Sequence, residues 1–204
     1  MGISERKERE KSEMRKRIVD AAVQMFKDEG YEKVSIRNIA DKIEYSPATL
    51  YLYYKDKDEL LLDVQRDAFD QLNMAFQKIP FAKEPFKRLE QIFENYIRFA
   101  REQPELYDLM FIMKAPMNAV PDADKWDNGD DAFDVLKKCV EDCIAEGVIR
   151  FTDPVVGAIS IWGFVHGLLS LDLKCRFKPT HLQTEQIAEV LRQAYRNYLD
   201  MIHT

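Results

Sequence analysis

Ser46-Pro47 stands between two short apolar stripes, and that placement restricts the fold more than any other feature of the chain. Before it, Ile36, Ile39, Ala40 and Ile43 recur at helical spacing. Ser35, just ahead of that stripe, has the chemistry of an N-cap, because its hydroxyl can accept a bond from a free backbone N–H one turn on. Glu44 and Tyr45 break the pattern. Ser46 then restarts it as a second N-cap, with Pro47 at the first helical position, where its missing N–H costs nothing. The new helix carries Ala48, Thr49, Leu50, Tyr51, Leu52, Tyr53 and Tyr54, and Asp56 can cap a third helix from Lys57. Two short helices across such a turn have the geometry of a helix-turn-helix.

A DNA major groove admits one α-helix, read mainly by side chains near its N-terminus. Ser46, Pro47, Ala48 and Thr49 are small and allow close approach. A Thr methyl or an Ala can touch a thymine methyl, and hydroxyls can bond bases or phosphates. Tyr51, Tyr53, Lys55 and Lys57 fall where the helix would pass the sugar-phosphate backbone, and contacts there set register. The residues themselves are equally consistent with half-buried packing tyrosines and a solvated edge of lysines.

The stretch resembles the N-terminal domain of the TetR family of one-component transcriptional regulators. The matching positions are Ile39-Ala40, Ser46, Leu50-Tyr51, Tyr53-Tyr54, Lys57 and Leu60. The resemblance implies that Thr49 and Tyr53 contact DNA, and that Tyr51 packs and contacts phosphate. It implies that Lys57 and the helix N-terminus after it hold phosphate, while Ser35 and Arg37 reach DNA from the first helix of the pair. One position departs. Glu44 stands where the family usually carries Gly, and a non-glycine residue tolerates the left-handed conformation poorly. A strained turn is expected there, with a carboxylate near the phosphates.

The net charge of −6 argues at first against DNA. Its distribution reverses that reading. The first 57 residues hold 13 Lys and Arg against 11 Asp and Glu, and the remainder 17 against 25. A weakly basic head on an acidic body can bind DNA locally. Three cysteines without paired spacing suggest a reducing compartment. No apolar N-terminal segment suggests export, so a cytoplasmic protein is expected.

The expected architecture is all-α. A three-helix helix-turn-helix domain occupies 1–56, and a larger helical ligand-binding and dimerisation domain occupies 57–204. Met1–Arg17 is nearly all charged and reads as a solvated helical extension. Ile18, Ala21, Ala22, Met25 and Phe26 form the first stripe, closed by Gly30. A longer helix from Lys57 to about Lys78 has no Gly/Ser linker before it and should couple head to body. Helices follow around Leu89–Ala100 and from Pro104. Lys114–Gly129 reads as an irregular acidic loop, without the calcium-loop pattern. Cys139 and Cys143, one turn apart on the next helix, read as small buried residues. Asp153-Pro154 opens the most apolar helix, about seventeen residues, read as buried in a soluble protein rather than spanning a membrane. Gly163 and Gly167 bare one face of it for close approach by another helix. The run Trp162-x-x-x-His166-Gly167 resembles the WHG-type C-terminal domain of one TetR subgroup. The last helix spans about Leu182–Met201.

A homodimer is expected, built from the Trp162 helix and the last helix of each subunit, so that charge at Leu191 or Tyr195 should give monomers. Two reading helices then meet two half-sites of a near-palindromic double-stranded operator. Phe93, Tyr96, Ile97, Met110, Phe111, Met113, Trp162 and His166 are the expected walls of a pocket for a small apolar effector. No phosphate loop, GxSxG or HExxH occurs, so neither enzyme activity, cofactor nor metal is expected. A protein-interaction module is the rival reading, but it has no need of the Ser35–Lys57 pattern. Asp200 and His203 sit at an end expected to fray.

Overall fold

The computed structural model describes residues 3–77, 82–113 and 127–204. Nine α-helices lie among them: α1 (Ile3–Glu29), α2 (Ile36–Lys42), α3 (Pro47–Tyr51), α4 (Lys57–Gln77), α5 (Pro85–Glu102), α6 (Pro104–Phe111), α7 (Asp127–Ala145), α8 (Pro154–Leu173) and α9 (Thr184–Ile202). The described residues form two compact units. One runs to Asp70 and takes in Glu105–Met113; the other holds Gln71–Pro104 and everything from Asp127.

In the first unit, α1 ends at Gly30, whose φ of 86° only glycine adopts without strain. Its C-terminal half buries Ile18, Ala22 and Phe26 and packs on α2, which buries Ile36, Ile39 and Ala40. Its N-terminal half is exposed and laced by the pairs Arg6–Glu10 at 2.8 Å and Arg9–Glu13 at 3.5 Å, a solvated helical extension as expected. The first half of α4 closes the core with Leu60, Leu61 and Val64. The chain of α6 returns to this unit: buried Gln65 donates its amide to the Leu109 carbonyl, and Phe69 meets Phe111 edge-on at 5.4 Å.

The division between the units therefore falls inside α4, at Asp70–Gln71, rather than at the expected 56–57 boundary. The reason is physical. Nothing between Lys57 and Gln77 breaks a helix, and the apolar stripe of its first half matches the head's core.

In the second unit, α7 packs on both α5 and α8. Arg88 of α5 pairs with Asp142 of α7. Cys139 and Cys143 are buried, and the Cys139 thiol lies 3.5 Å from the Pro85 carbonyl. The close helix approach occurs at Gly157, not at Gly163 or Gly167. A Cβ on Gly157 would stand 2.9 Å from Val140 Cγ1, whereas nothing lies within 4 Å of one on Gly163 or Gly167.

Three further expectations are corrected. The C-terminus does not fray: Arg150 N–H donates to the Ile202 carbonyl at 2.9 Å, Thr204 N–H to Val148 at 3.3 Å, and the His203 ring lies 4.4 Å from Phe86. An extended Val148–Arg150 segment supplies the free backbone groups. Next, α8 has 20 residues, as long as a membrane span, and is buried on one side only. Gly157, Ala158, Ile161, Val165 and Leu169 face inward, while Val155, Val156 and Ile159 are exposed. Finally, Leu191 and Tyr195 of α9 are buried within their own chain, and Val190 and Met201 carry its exposed apolar face. The Lys114–Gly129 loop lies outside the described residues up to Trp126, and α7 already begins at Asp127.

Candidate functional site

Ser35 caps α2 through a capping box: its hydroxyl accepts from Asn38 N–H at 3.2 Å, and the Asn38 side chain accepts from Ser35 N–H at 3.0 Å. Ser46 caps α3, accepting from Thr49 N–H at 3.2 Å, with its Oγ 2.9 Å from Thr49 Oγ1. Both serines, offered by the sequence as DNA contacts, thus spend a lone pair holding a helix end. Leu50 and Tyr54 point inward; Arg37, Ser46, Ala48, Tyr51 and Lys55 are exposed, and Pro47, Thr49 and Tyr53 are partly so. Helical-turn bonds continue past α3, from Tyr53 N–H and Tyr54 N–H to Leu50 O, at 2.9 and 3.0 Å. Tyr51 is 51 % exposed and does not pack as the resemblance implies. Tyr54, one turn behind, is the packed tyrosine, donating to Asp63 at 2.8 Å.

Two arginines of α1 hold this reading unit, and the sequence reading missed both. Arg17 donates to the Ile43 carbonyl at 3.3 Å and lies over the Tyr45 ring at 5.3 Å. Arg15 donates to the Tyr53 carbonyl at 3.4 Å and lies over Tyr54 at 5.4 Å. Their partners are 26 and 38 residues away, so no local pattern marks them.

Glu44 has a φ of 62°, the left-handed turn expected from the missing glycine. That conformation costs an ordinary residue about 1–2 kcal/mol, against about 0.5–1 kcal/mol of extra unfolded-state freedom for glycine. Glu44→Gly should raise stability by up to about 1 kcal/mol, or roughly 2–4 °C. If that turn faces the duplex as the resemblance implies, the loss of its carboxylate should also tighten DNA binding at low salt. A thermal melt and a salt titration check both; a lower Tm means the side chain does more than strain the turn.

Lys57 is placed differently from the implied phosphate clamp. Its ammonium donates to the Tyr31 carbonyl at 2.9 Å and sits 4.0 Å from the Tyr31 ring centroid. The Tyr31 hydroxyl bonds Asp58; burial first, and that carboxylate second, push the phenol well above its ordinary range. Asp56 accepts from Glu59 N–H at 2.8 Å, and Glu59 from Lys55 N–H at 2.6 Å. The first turn of α4 is capped by its own carboxylates, which disfavours an anion there. Lys55 beside α3, and Arg37 and Lys42 of α2, are exposed cations.

The expected effector-pocket residues do not share one compact unit. Met110, Phe111 and Met113 belong to the first. Phe93, Tyr96, Ile97, Trp162 and His166 belong to the second. There, Trp162 Nε1 donates to Tyr96 Oη at 3.2 Å, and Tyr96 Oη lies 3.0 Å from His166 Nδ1. Indole is a donor only, so the tyrosine oxygen accepts from it, and the imidazole tautomer sets the direction of the Tyr96–His166 bond. Burial lowers the His166 pKa, keeping it neutral at physiological pH. Phe93 meets Tyr195 at 6.2 Å, and Ile97 lines a separate cleft.

Residues 18–64 match the family described as bacterial regulatory proteins, tetR family. Residues 89–195, more than half of the chain, match the tetracyclin repressor-like C-terminal domain. The chain is similar to the HTH-type transcriptional repressor KstR of Rhodococcus jostii, 31 % identical over 98 residues, 48 % of this chain and 46 % of that protein. It is 23 % identical over 160 residues to the HTH-type transcriptional regulator HbdR of Aromatoleum, covering 76 % of this chain and 68 % of that one. The chain spans about half the length of the curated KstR repressors it matches. In fold it resembles a protein of unknown function from Rhodococcus sp. RHA1, with a TM-score of 0.74 at 20 % identity, covering 93 % of this chain and 95 % of that chain.

Proposed function

The chain belongs to the TetR family of bacterial regulatory proteins, and from that premise we propose a homodimeric, cytoplasmic transcriptional repressor, binding an operator and released from it by a small lipophilic effector. The observation that carries the DNA-binding part is the capped Ser46–Tyr51 helix. It presents Ala48, Tyr51 and partly Thr49 to solvent while Leu50 fixes it to the core. Pro47 and the Ser46 cap leave the helix N-terminus free of bulk, which suits entry into a major groove.

Support for the dimer is the apolar surface of α8 and α9, at Val156, Ile159, Val190 and Met201. Reading both halves of a near-palindrome needs two such helices about 34 Å apart, on successive turns of the duplex. Support for coupling is α4, which continues unbroken from one compact unit into the other. A shift of its body end is the proposed route by which an effector alters the head. A coupling of about 1–3 kcal/mol changes DNA affinity roughly 5–150-fold.

The test is selection of genomic fragments by the purified chain, followed by fluorescence anisotropy across a salt series. A sequence-dependent site with symmetric halves supports the proposal; uniform binding, or none at low salt, removes it. With that operator, Lys55→Ala should weaken binding to every sequence and reduce the salt slope by about one. Thr49→Ala should instead redistribute preference among base variants, at about 1–3 kcal/mol for the affected base pair. Equal loss on all variants would argue against Thr49 as a reader.

A further inference from the structure

Between α5, α8 and α9 lies a cleft of about 290 Å³ that the DNA-binding surface does not involve. Its apolar lining includes Ile97, Val165, Leu169 and Leu191. Its polar groups are unequal. Arg101 is engaged by Asp172 at 3.3 Å, and Arg192 pairs with Glu189. Arg196 stands exposed at the rim. Glu90 and Glu94, one turn apart on α5, have no ion pair among the described residues, and burial together with the Glu94 charge raises the pKa of Glu90. Tyr195 also lines the cleft; its side chain is buried to 8 % exposure and its hydroxyl has no hydrogen-bond partner.

A buried polar group without a partner is costly, and two like charges a turn apart repel. A lipophilic molecule bearing a protonated amine meets both conditions and suits the apolar lining. Its ammonium supplies donors to the carboxylates and an opposite charge, and its apolar body displaces water from the Ile97–Leu191 wall. We propose that this cleft is a binding site for lipophilic amines, with Glu90, Glu94 and Tyr195 as the polar end. As an effector site it would serve the regulator proposed above, but binding itself does not require that reading to hold.

The test uses the full chain without DNA and 1-naphthylmethylamine as the probe, followed by calorimetry. 1-Naphthylmethanol and 1-naphthoate are the neutral and anionic comparators. Saturable binding of the amine is expected, at least tenfold tighter than either comparator. Glu90→Gln should weaken it about tenfold, and Tyr195→Phe several-fold. Tyr195→Phe should not lower the melting temperature, because the hydroxyl it removes is unpaired; a folded variant therefore reports on the ligand rather than on packing. Absence of amine binding up to its solubility limit overturns the site. So does equal binding of the comparators, or binding unaffected by Glu90→Gln and Tyr195→Phe. Binding abolished by Ile159→Asp but untouched by Glu90→Gln places the probe on the exposed α8 face and overturns it too. Failure to bind operator DNA, with amine binding intact, counts against the regulator reading alone.

Discussion

Replacing Ile159 by Asp should turn the proposed dimer into folded monomers and weaken operator binding by about 10²–10⁴-fold, the avidity that linkage of two half-site contacts supplies. Ile159 is 54 % exposed and follows Val156 by three residues, so both lie on one stripe of α8, with Gly163 a turn further. In a two-fold interface the same residue appears in both subunits, and each Asp would be desolvated at a cost of several kcal/mol. Ile159 is more exposed than covered among the described residues, so the monomer should keep its helix content. Leu191→Asp makes the contrast. Leu191 is buried in its own subunit, and a charge there should disrupt the body instead of releasing a folded monomer. Sedimentation velocity with circular dichroism separates the two outcomes. An intact dimer carrying Ile159→Asp would place the subunit contact elsewhere.

Leu50→Ala should abolish DNA binding by melting the reading unit while the body stays folded. Leu50 is fully buried, and emptying such a site costs about 2–5 kcal/mol. The loss falls on a unit with little reserve. Helix α3 has only five residues, and an isolated helix below about 12–15 residues is marginal in water. Its stability comes from Leu50 and Tyr54 set against the head's core. Trp162 lies in the other compact unit, so amide exchange around it should stay slow while exchange speeds up across 36–54. A variant that binds operator as tightly as the parent would mean the head tolerates the cavity by collapse.

Much of the reading unit was legible locally. Ser35, Ser46, Pro47 and Asp56 act within four residues of themselves, and the caps they form are the ones their chemistry suggests. The left-handed turn at Glu44 followed from a missing glycine. The site was less legible wherever a side chain chose between two partners. Lys57 has a phosphate-binding chemistry and a cation–π chemistry, and only the position of Tyr31, 26 residues earlier, selects the second. Tyr51 and Tyr54 look alike in the sequence, yet one faces solvent and the other the core.

The apolar run of α8 marks the same limit at larger scale. Periodicity established that it is a helix and apolar all round; it could not say whether the covering surface is the chain itself, a membrane or another subunit. The fold assigns one side to α5 and α7 and leaves Val156 and Ile159 bare. The sequence by itself determined which segments wind into helices, where the reading-unit helices are capped, and that two short ones meet across a tight turn, because those forces act over one or two turns of backbone. Only the tertiary structure decided which face of each helix is inside, where α4 changes unit, and that Tyr195 lacks a partner beside two carboxylates. Those outcomes depend on contacts between residues dozens of positions apart, and no local pattern encodes them.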